Sequence, residues 1–230
     1  MTIDDGVKLL DAITKLFGVL VWPAVLLFVL ARFSPALREF AANLGEFSLK
    51  GAGFEASAKR KQAEAAKSLT AAALSRPVSG ATPENTAREA QAAFDVVAEV
   101  ATPRMIRSVG KSSVLWVDDN PSNNVHERKA LEALGISIVL ATSTDEALEK
   151  LKRQSFDAII SDMGRPPDMQ AGYTLLEKLR ASDDRTPYII YAGSRASEHR
   201  AEARRRGAVG CTNRPDELFE MVLSALGSKR

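Results

Sequence analysis

The sequence predicts an α/β fold: a five-stranded, doubly wound parallel sheet, preceded by a transmembrane helix and a helical juxtamembrane region. Three observations predict it. From Ser113 onward, apolar runs of about five residues alternate with segments of helical period, as in a parallel sheet covered on both faces. Leu16 to Ala31 carry no charged side chain. Between these regions lies a stretch rich in Ala, Lys and Glu, whose propensity favours helix.

The N-terminal apolar run is short for a membrane span by itself. Adding Ala12, Ile13, Thr14 and a snorkelling Lys15 gives roughly 20 residues, or about 30 Å of helix. Pro23 bends such a helix but is tolerated in a bilayer. A cleaved leader fits less well, because Asp4, Asp5 and Asp11 stand where a basic segment belongs. We therefore expect a membrane anchor over residues 12–32. Arg32 and Arg38 follow it and aspartates precede it, so the positive-inside tendency puts the rest of the chain in the cytoplasm. The expected location is single-pass, in the inner (cell) membrane.

Residues 35–102 are expected to form the juxtamembrane region. Pro35 to Leu44 read as a short helix. "EFSLKGAGFEAS" alternates around Gly51 and Gly53 and reads as a hairpin of Glu46–Lys50 and Phe54–Ala56. "ASAKRKQAEAAKSLTAAALS" reads as helix. Its apolar face is mostly alanine, too thin for a core of its own, so it suits a stalk, pairing with a second copy, or a solvated helix. "SRPVSGATPENT" is a linker, near residues 75–86. "PENTAREAQAAFDVVAEVA" is a second helix, with Pro83 near its start.

The remaining unit spans residues 112–228. Its predicted strands are Val114–Val117, Ile136–Leu140, Asp157–Ser161, Tyr188–Tyr191 and Ala208–Cys211. Helices are predicted over Ser122–Leu134, Thr144–Arg153, Tyr173–Ala181, Arg195–Arg206 and Asp216–Leu226. Ser143 and Glu146 make a capping box.

Composition excludes some classes. Thirty-one basic residues against 29 acidic give a formal charge of +2, so no bulk positive field favours nucleic acid. A single cysteine, Cys211, rules out an internal disulfide framework. His126 and His199 are isolated and suit helix surfaces. Arg204, Arg205 and Arg206 end a helix, where cations complement its dipole.

The chemistry gathers at the carboxyl ends of the strands, where open α/β sheets bind ligands. Strand one ends at Asp118 and Asp119, and strand three at Asp162. Neighbouring strand ends lie about 5 Å apart, so the three carboxylates converge. Like charges this close repel. A hard divalent cation relieves that repulsion, and Mg²⁺ takes oxygen ligands. Bridged to a phosphoryl oxygen, it makes a nearby carboxylate a feasible acceptor. One of the adjacent pair could instead cap the following helix.

With these residues in place, the unit resembles the receiver domain of bacterial two-component response regulators, over about Ser112 to Leu226. "LWVDDNP" is similar to that family's first strand and acidic pair, and "RTPYIIYAG" to its fourth strand. "GAVGCTNRP" is similar to its fifth strand and basic-Pro end. The resemblance implies a flavodoxin-like receiver fold, with Asp162 as phosphoacceptor. It implies Mg²⁺ held by Asp118, Asp119, Asp162 and the carbonyl of Gly164, a histidine kinase or other phosphodonor as partner, and Arg214 in place of the family's lysine. Arg214–Pro215 is expected to be cis by the same resemblance. Two positions depart from the pattern. Ala192 stands where the family has Thr or Ser, with Ser194 two residues on, and Cys211 stands where it has a switching aromatic.

The expected function is a membrane-anchored receiver that accepts a phosphoryl group on Asp162. It is not expected to be an enzyme beyond its own phosphorylation and dephosphorylation. No helix-turn-helix is recognisable after the last helix, so output is expected through protein contact or self-association. The alternatives are a pseudo-receiver that binds without phosphorylation and, less favoured, a membrane-associated nucleotide-acting effector.

Overall fold

A computed structural model of the protein describes residues 53–75, 82–192 and 197–228, the side chains at 197–199 excepted. The expected anchor at 12–32, the helix from Pro35 to Leu44, the hairpin strand Glu46–Lys50, residues 76–81 of the linker, and Ser194 lie outside the described residues. Among the described residues, no helix is long and apolar enough to cross a membrane.

Three helices come first: α1 (residues 53–75), α2 (Pro83–Val100) and α3 (Pro103–Val109). Phe54–Ala56, expected as a hairpin strand, lies inside α1. The helix propensity of the Ala/Lys/Glu run extends back to Gly53, so Gly53 does not mark a turn. Thr82 caps α2 by accepting from the Asn85 amide, and Thr102 caps α3 by accepting from the Met105 amide. Each helix has proline in its first turn, where a missing N–H costs nothing.

The alanine face of α1 is buried: Ala58, Ala65, Ala66, Leu69, Ala72 and Ala73 are all at most 5% exposed. It docks on the rest of the chain. Gln62 Nε2 donates to the carbonyls of Val97 (3.4 Å) and Ala98 (3.2 Å), near the open end of α2. Lys61 Nζ reaches the Leu134 carbonyl at 3.4 Å, near the end of a sheet-flanking helix. Both tether carbonyls in a last helical turn, where intrahelical donors run out, although the Val97 carbonyl also accepts from the Ala101 amide.

The sheet follows. Strands β1 (Ser113–Val117), β2 (Ser137–Ala141), β3 (Ala158–Ser161), β4 (Tyr188–Tyr191) and β5 (Gly210–Thr212) are all parallel, in the order β2-β1-β3-β4-β5. The fifth strand starts two residues later than the sequence suggests, after the Gly207 turn (φ +90°). The connecting helices are α4 (Val125–Ala133), entered through a short 3-10 turn at Pro121–Asn124, α5 (Thr144–Arg153), α6 (Ala171–Ala181), α7 (Ser197–Arg205) and α8 (Pro215–Gly227).

Alternation along the strands sends side chains to both faces. Leu115, Val117, Ile159, Tyr188 and Ile190 join Leu175, Leu176 and Ala203 of α6 and α7 in one core. Trp116, Ile160 and Ile189 point the other way, toward the face where α4 and α8 pack together. Burying each large apolar side chain stabilises the fold by roughly 1.5–3 kcal/mol. Helix α8 also meets α2 and α3, so the N-terminal helices extend this second face. Ser143 caps α5, and Glu146 reaches back to the Thr142 amide at 2.7 Å. Lys150 and Thr142 together hold the Glu146 carboxyl down to about 2.

The cis peptide bond among the described residues is Pro166–Pro167, not Arg214–Pro215. Arg214 has extended backbone as the cap of α8, and Pro215 opens that helix in the position prolines favour.

Gly172, near the start of α6, fixes how closely that helix approaches the end of β3. Its amide donates to the Met163 carbonyl at 2.8 Å, and a Cβ built on it would lie 2.7 Å from the Asp162 carbonyl oxygen. Backbone cannot give way there as a flexible side chain could. Gly172→Ala is therefore expected to lower stability by about 1–3 kcal/mol, read as a shift in the denaturant midpoint at unchanged slope. An unchanged midpoint would contradict this packing.

Candidate metal centre

Register builds the site. Val117 pairs with Ser161, so the next residue of each strand, Asp118 and Asp162, emerges side by side. The Asp162 amide donates to Val117 O, and the Asp118 amide to Ala141 O, each at 2.9 Å, so both residues continue the ladder. Asp118, Asp119 and Asp162 each offer a carboxylate oxygen, all within 4.8 Å of one another. The predicted metal-ligating side chains are thus brought together.

Their surroundings differ. Asp118 is 6% exposed. Its Oδ1 accepts from the Asn120 amide at 2.7 Å, and its Oδ2 from Asn124 Nδ2 at 2.5 Å. Asn124 is itself buried, so it orients Asp118 from the start of α4. Asp119 is exposed. Asp162 Oδ1 accepts from the Met163 amide at 2.6 Å. Burial pushes the Asp162 carboxyl above its ordinary range, opposed by that amide bond. The Asp118 and Asp119 charges push it further up, and the Arg165 charge pulls it down.

This donor set suits a hard divalent cation: carboxylate oxygens only, too close together for comfort without a positive charge between them. Gly164 lies in the loop after Asp162, with Met169 packed within 3.3 Å of the place its Cβ would occupy.

Arg214 is placed differently from the carboxylates. Its guanidinium forks onto Asp216, Nε to Oδ1 at 3.1 Å and Nη2 to Oδ2 at 2.6 Å, and lies 3.6 Å from Glu217. The cation that acts on Asp162 is Arg165, which sequence reasoning passed over. Arg165 is 4% exposed and sits in "MGRPPDM", a run whose glycine and prolines read only as loop. At the end of β4, Ala192 is buried without a hydroxyl, and Cys211 on β5 is also buried, its thiol pushed up by burial. Next to Ala192, Tyr191 Oη donates to the buried Glu127 of α4 at 2.8 Å. Its ring meets Trp116 edge-on, with centroids 6.0 Å apart.

The raised Asp162 carboxyl has a consequence for stability. The unfolded chain gives up this proton near 3.8, whereas the folded chain holds it to higher pH. The folded state then binds more protons, so stability falls as pH rises through that window. Asp162→Asn removes the charge that causes the fall. It is expected to raise the melting temperature of the cation-free protein at pH 7 by about 2–4 °C, and to leave the melting temperature below pH 3 nearly unchanged. A lower melting temperature at pH 7 would refute strain among the carboxylates.

Part of this chain is similar to known proteins. Residues 114–223 match the model of the response regulator receiver domain. The chain is similar to the virulence sensor protein BvgS of Bordetella pertussis, 32% identical over 140 residues, which are 59% of this chain and 11% of BvgS. It is also similar to the transcriptional regulatory protein ZraR of Salmonella typhimurium, 30% identical over 129 residues, 55% of this chain and 28% of ZraR. The chain thus spans little more than a quarter of ZraR and far less of BvgS. Among solved structures, the receiver domain of the Francisella response regulator 1452 aligns with a TM-score of 0.48 at 26% identity, over 52% of this chain and all (100%) of that one. The chemotaxis response regulator CheY4 of Vibrio cholerae aligns at 0.44, also with 26% identity, over 50% of this chain and 98% of that one. The matched segment contains Asp118, Asp119 and Asp162 and all of the parallel sheet but Ser113: residues 114–223 match the receiver domain of two-component response regulators.

Proposed function

We propose that this chain accepts a phosphoryl group on Asp162, with Mg²⁺, from a histidine kinase or another phosphodonor. One observation carries the reading: Asp118, Asp119 and Asp162 converge to within 4.8 Å at the carboxyl edge of the sheet. Asp118, Asp119, Asp162 and the Gly164 carbonyl would hold the cation, which when bound offsets the negative charge and polarises the phosphoryl oxygens.

The chain's own residues do the rest. An Asp162 carboxylate oxygen attacks phosphorus, and the donor's bond to phosphorus breaks with its electron pair leaving on the donor. Asn120 and Asn124 hold Asp118 in place through its two oxygens. The Met163 amide holds Asp162 Oδ1, leaving Oδ2 as the oxygen that attacks. Arg214 would serve the phosphoryl group only after releasing Asp216, a bidentate pair that resists release. Output passes through protein contact or self-association, and the chain is not otherwise an enzyme.

The structure favours one alternative on a specific ground. Ala192 offers no hydroxyl at the end of β4, and Arg214 is engaged elsewhere, as suits a pseudo-receiver that binds a partner without being phosphorylated. We also propose that residues 12–32 anchor the chain in the inner membrane with the receiver in the cytoplasm, on the strength of the uncharged run Leu16 to Ala31 and the arginines after it.

Incubating the full-length chain with Mg²⁺ and acetyl phosphate is expected to give a single labile phosphoryl adduct by intact mass, lost on chelation and in Asp162→Asn. Absence of the adduct together with absence of Mg²⁺ binding by calorimetry would overturn the acceptor reading in favour of the pseudo-receiver. For topology, alkaline phosphatase fused after Arg230 is expected to be inactive and a fluorescent protein fused there to be bright. The reverse result would refute the orientation.

A further inference from the structure

We propose that Arg165 is a positioning residue for phosphoryl acceptance: it holds the main chain of Asp162 and supplies a buried cation beside the acceptor. The proposal rests on the receiver reading above.

Arg165 is a charged side chain only 4% exposed. A guanidinium does not shed its proton in a protein, so burial must be offset by bonds or by opposite charge. Its bonds go to Ser161 Oγ at 2.8 Å, the Asp162 carbonyl at 2.9 Å and Thr144 Oγ1 at 3.1 Å. None of these partners is a carboxylate. Opposite charge comes both from Asp168, in the same loop, and from the acidic cluster beyond the Asp162 carbonyl. Its Nε is buried with no hydrogen-bond partner. A side chain present only to fill space would not carry that cost, since methionine or leucine fills space without a spare donor.

The fork reaches three places. It grips the last residue of β3, the carbonyl of the acceptor, and the first residue of α5. The arginine's own backbone is fixed by a pair of 2.9 Å bonds with Asp168, N–H to carbonyl in both directions. Asp168 is in turn held by Thr174 Oγ1 at 2.6 Å, which ties the loop to α6. The Asp162 carbonyl also accepts from Ser161 Oγ at 2.8 Å. A nucleophile must be aimed to within a fraction of an ångström, and this network fixes the acceptor from below.

Charge points the same way. When the Asp162 oxygen bonds to phosphorus and the donor group leaves, a carboxylate becomes an acyl phosphate of charge about −2. Arg214, beyond β5, is paired with Asp216, whereas Arg165 is a positive charge already in place at the Asp162 carbonyl.

The test compares Arg165→Met, Arg165→Lys and Thr144→Val with the native full-length chain. The readout is the rate of acetyl phosphate labelling at saturating Mg²⁺, so that changes in cation affinity do not enter. Circular dichroism sets the folded fraction used to normalise each rate. Arg165→Met is expected to label about 10–100-fold more slowly, and Arg165→Lys to recover part of that loss. Thr144→Val, which keeps the charge and removes one anchor, is expected to be roughly fivefold slower. If Arg165→Met does not fold, Thr144→Val and Arg165→Lys decide. A normalised rate within twofold of native in Arg165→Met, or in both of the others, would overturn the positioning role while leaving the receiver reading intact. A native chain that takes no phosphate would overturn both.

Discussion

Backbone pairing between β1 and β3 puts Val117 beside Ser161, and the next residue in each strand is an aspartate. The ladder, not any attraction between acids, brings these side chains together. The carboxylates would separate if the strands allowed it, and the strands are held by apolar burial on both faces. Trp116 and Ile160 are fixed on one side of the sheet, Leu115 and Ile159 on the other. The hydrophobic core thus keeps a repulsive cluster assembled until a cation or a phosphoryl group makes use of it.

The supports around that cluster are unequal. Toward β2 and α5, Arg165 links the acceptor loop to Thr144 by charged hydrogen bonds. Toward β4, the neighbouring strand end is Ala192, whose side chain offers no hydrogen bond. The hydroxyl of Tyr191 is taken up by Glu127 beneath the sheet, and that of Tyr188 by the Gly172 carbonyl. Among the described residues, the charged link from Asp162 therefore runs to the α5 flank, while the β4 flank is reached through neutral hydroxyls and packing.

The sheet and the carboxylate cluster were legible in the sequence because each rests on short-range pattern. Continuous apolar runs mark buried parallel strands, and acids immediately after two of them must meet once the strands pair. What was not legible depends on partners distant in the chain. Arg165 sits among a glycine and prolines that read as loop, and its burial follows from Thr144, 21 residues away. Asn124 gave no signal, because its bond to Asp118 depends on a 3-10 turn rather than an α-helical cap. The fork of Arg214 onto Asp216 follows from the start of α8, where acids favour the helix dipole and compete for the cation. At residues 54–56, local alternation suggested a strand, but the helix propensity of the downstream run prevailed.

On the side of α1, its seam with its neighbours is made largely of alanine, with Leu69 the one large apolar side chain it fully buries. Alanines let backbones come close but remove little apolar surface from water, so such a seam gains little free energy per residue. The sheet, by contrast, is pinned by tryptophan, tyrosine and phenylalanine. Cooperative units open in order of what they bury, so α1, seated on small side chains, is held less firmly than the strands that carry the aspartate cluster.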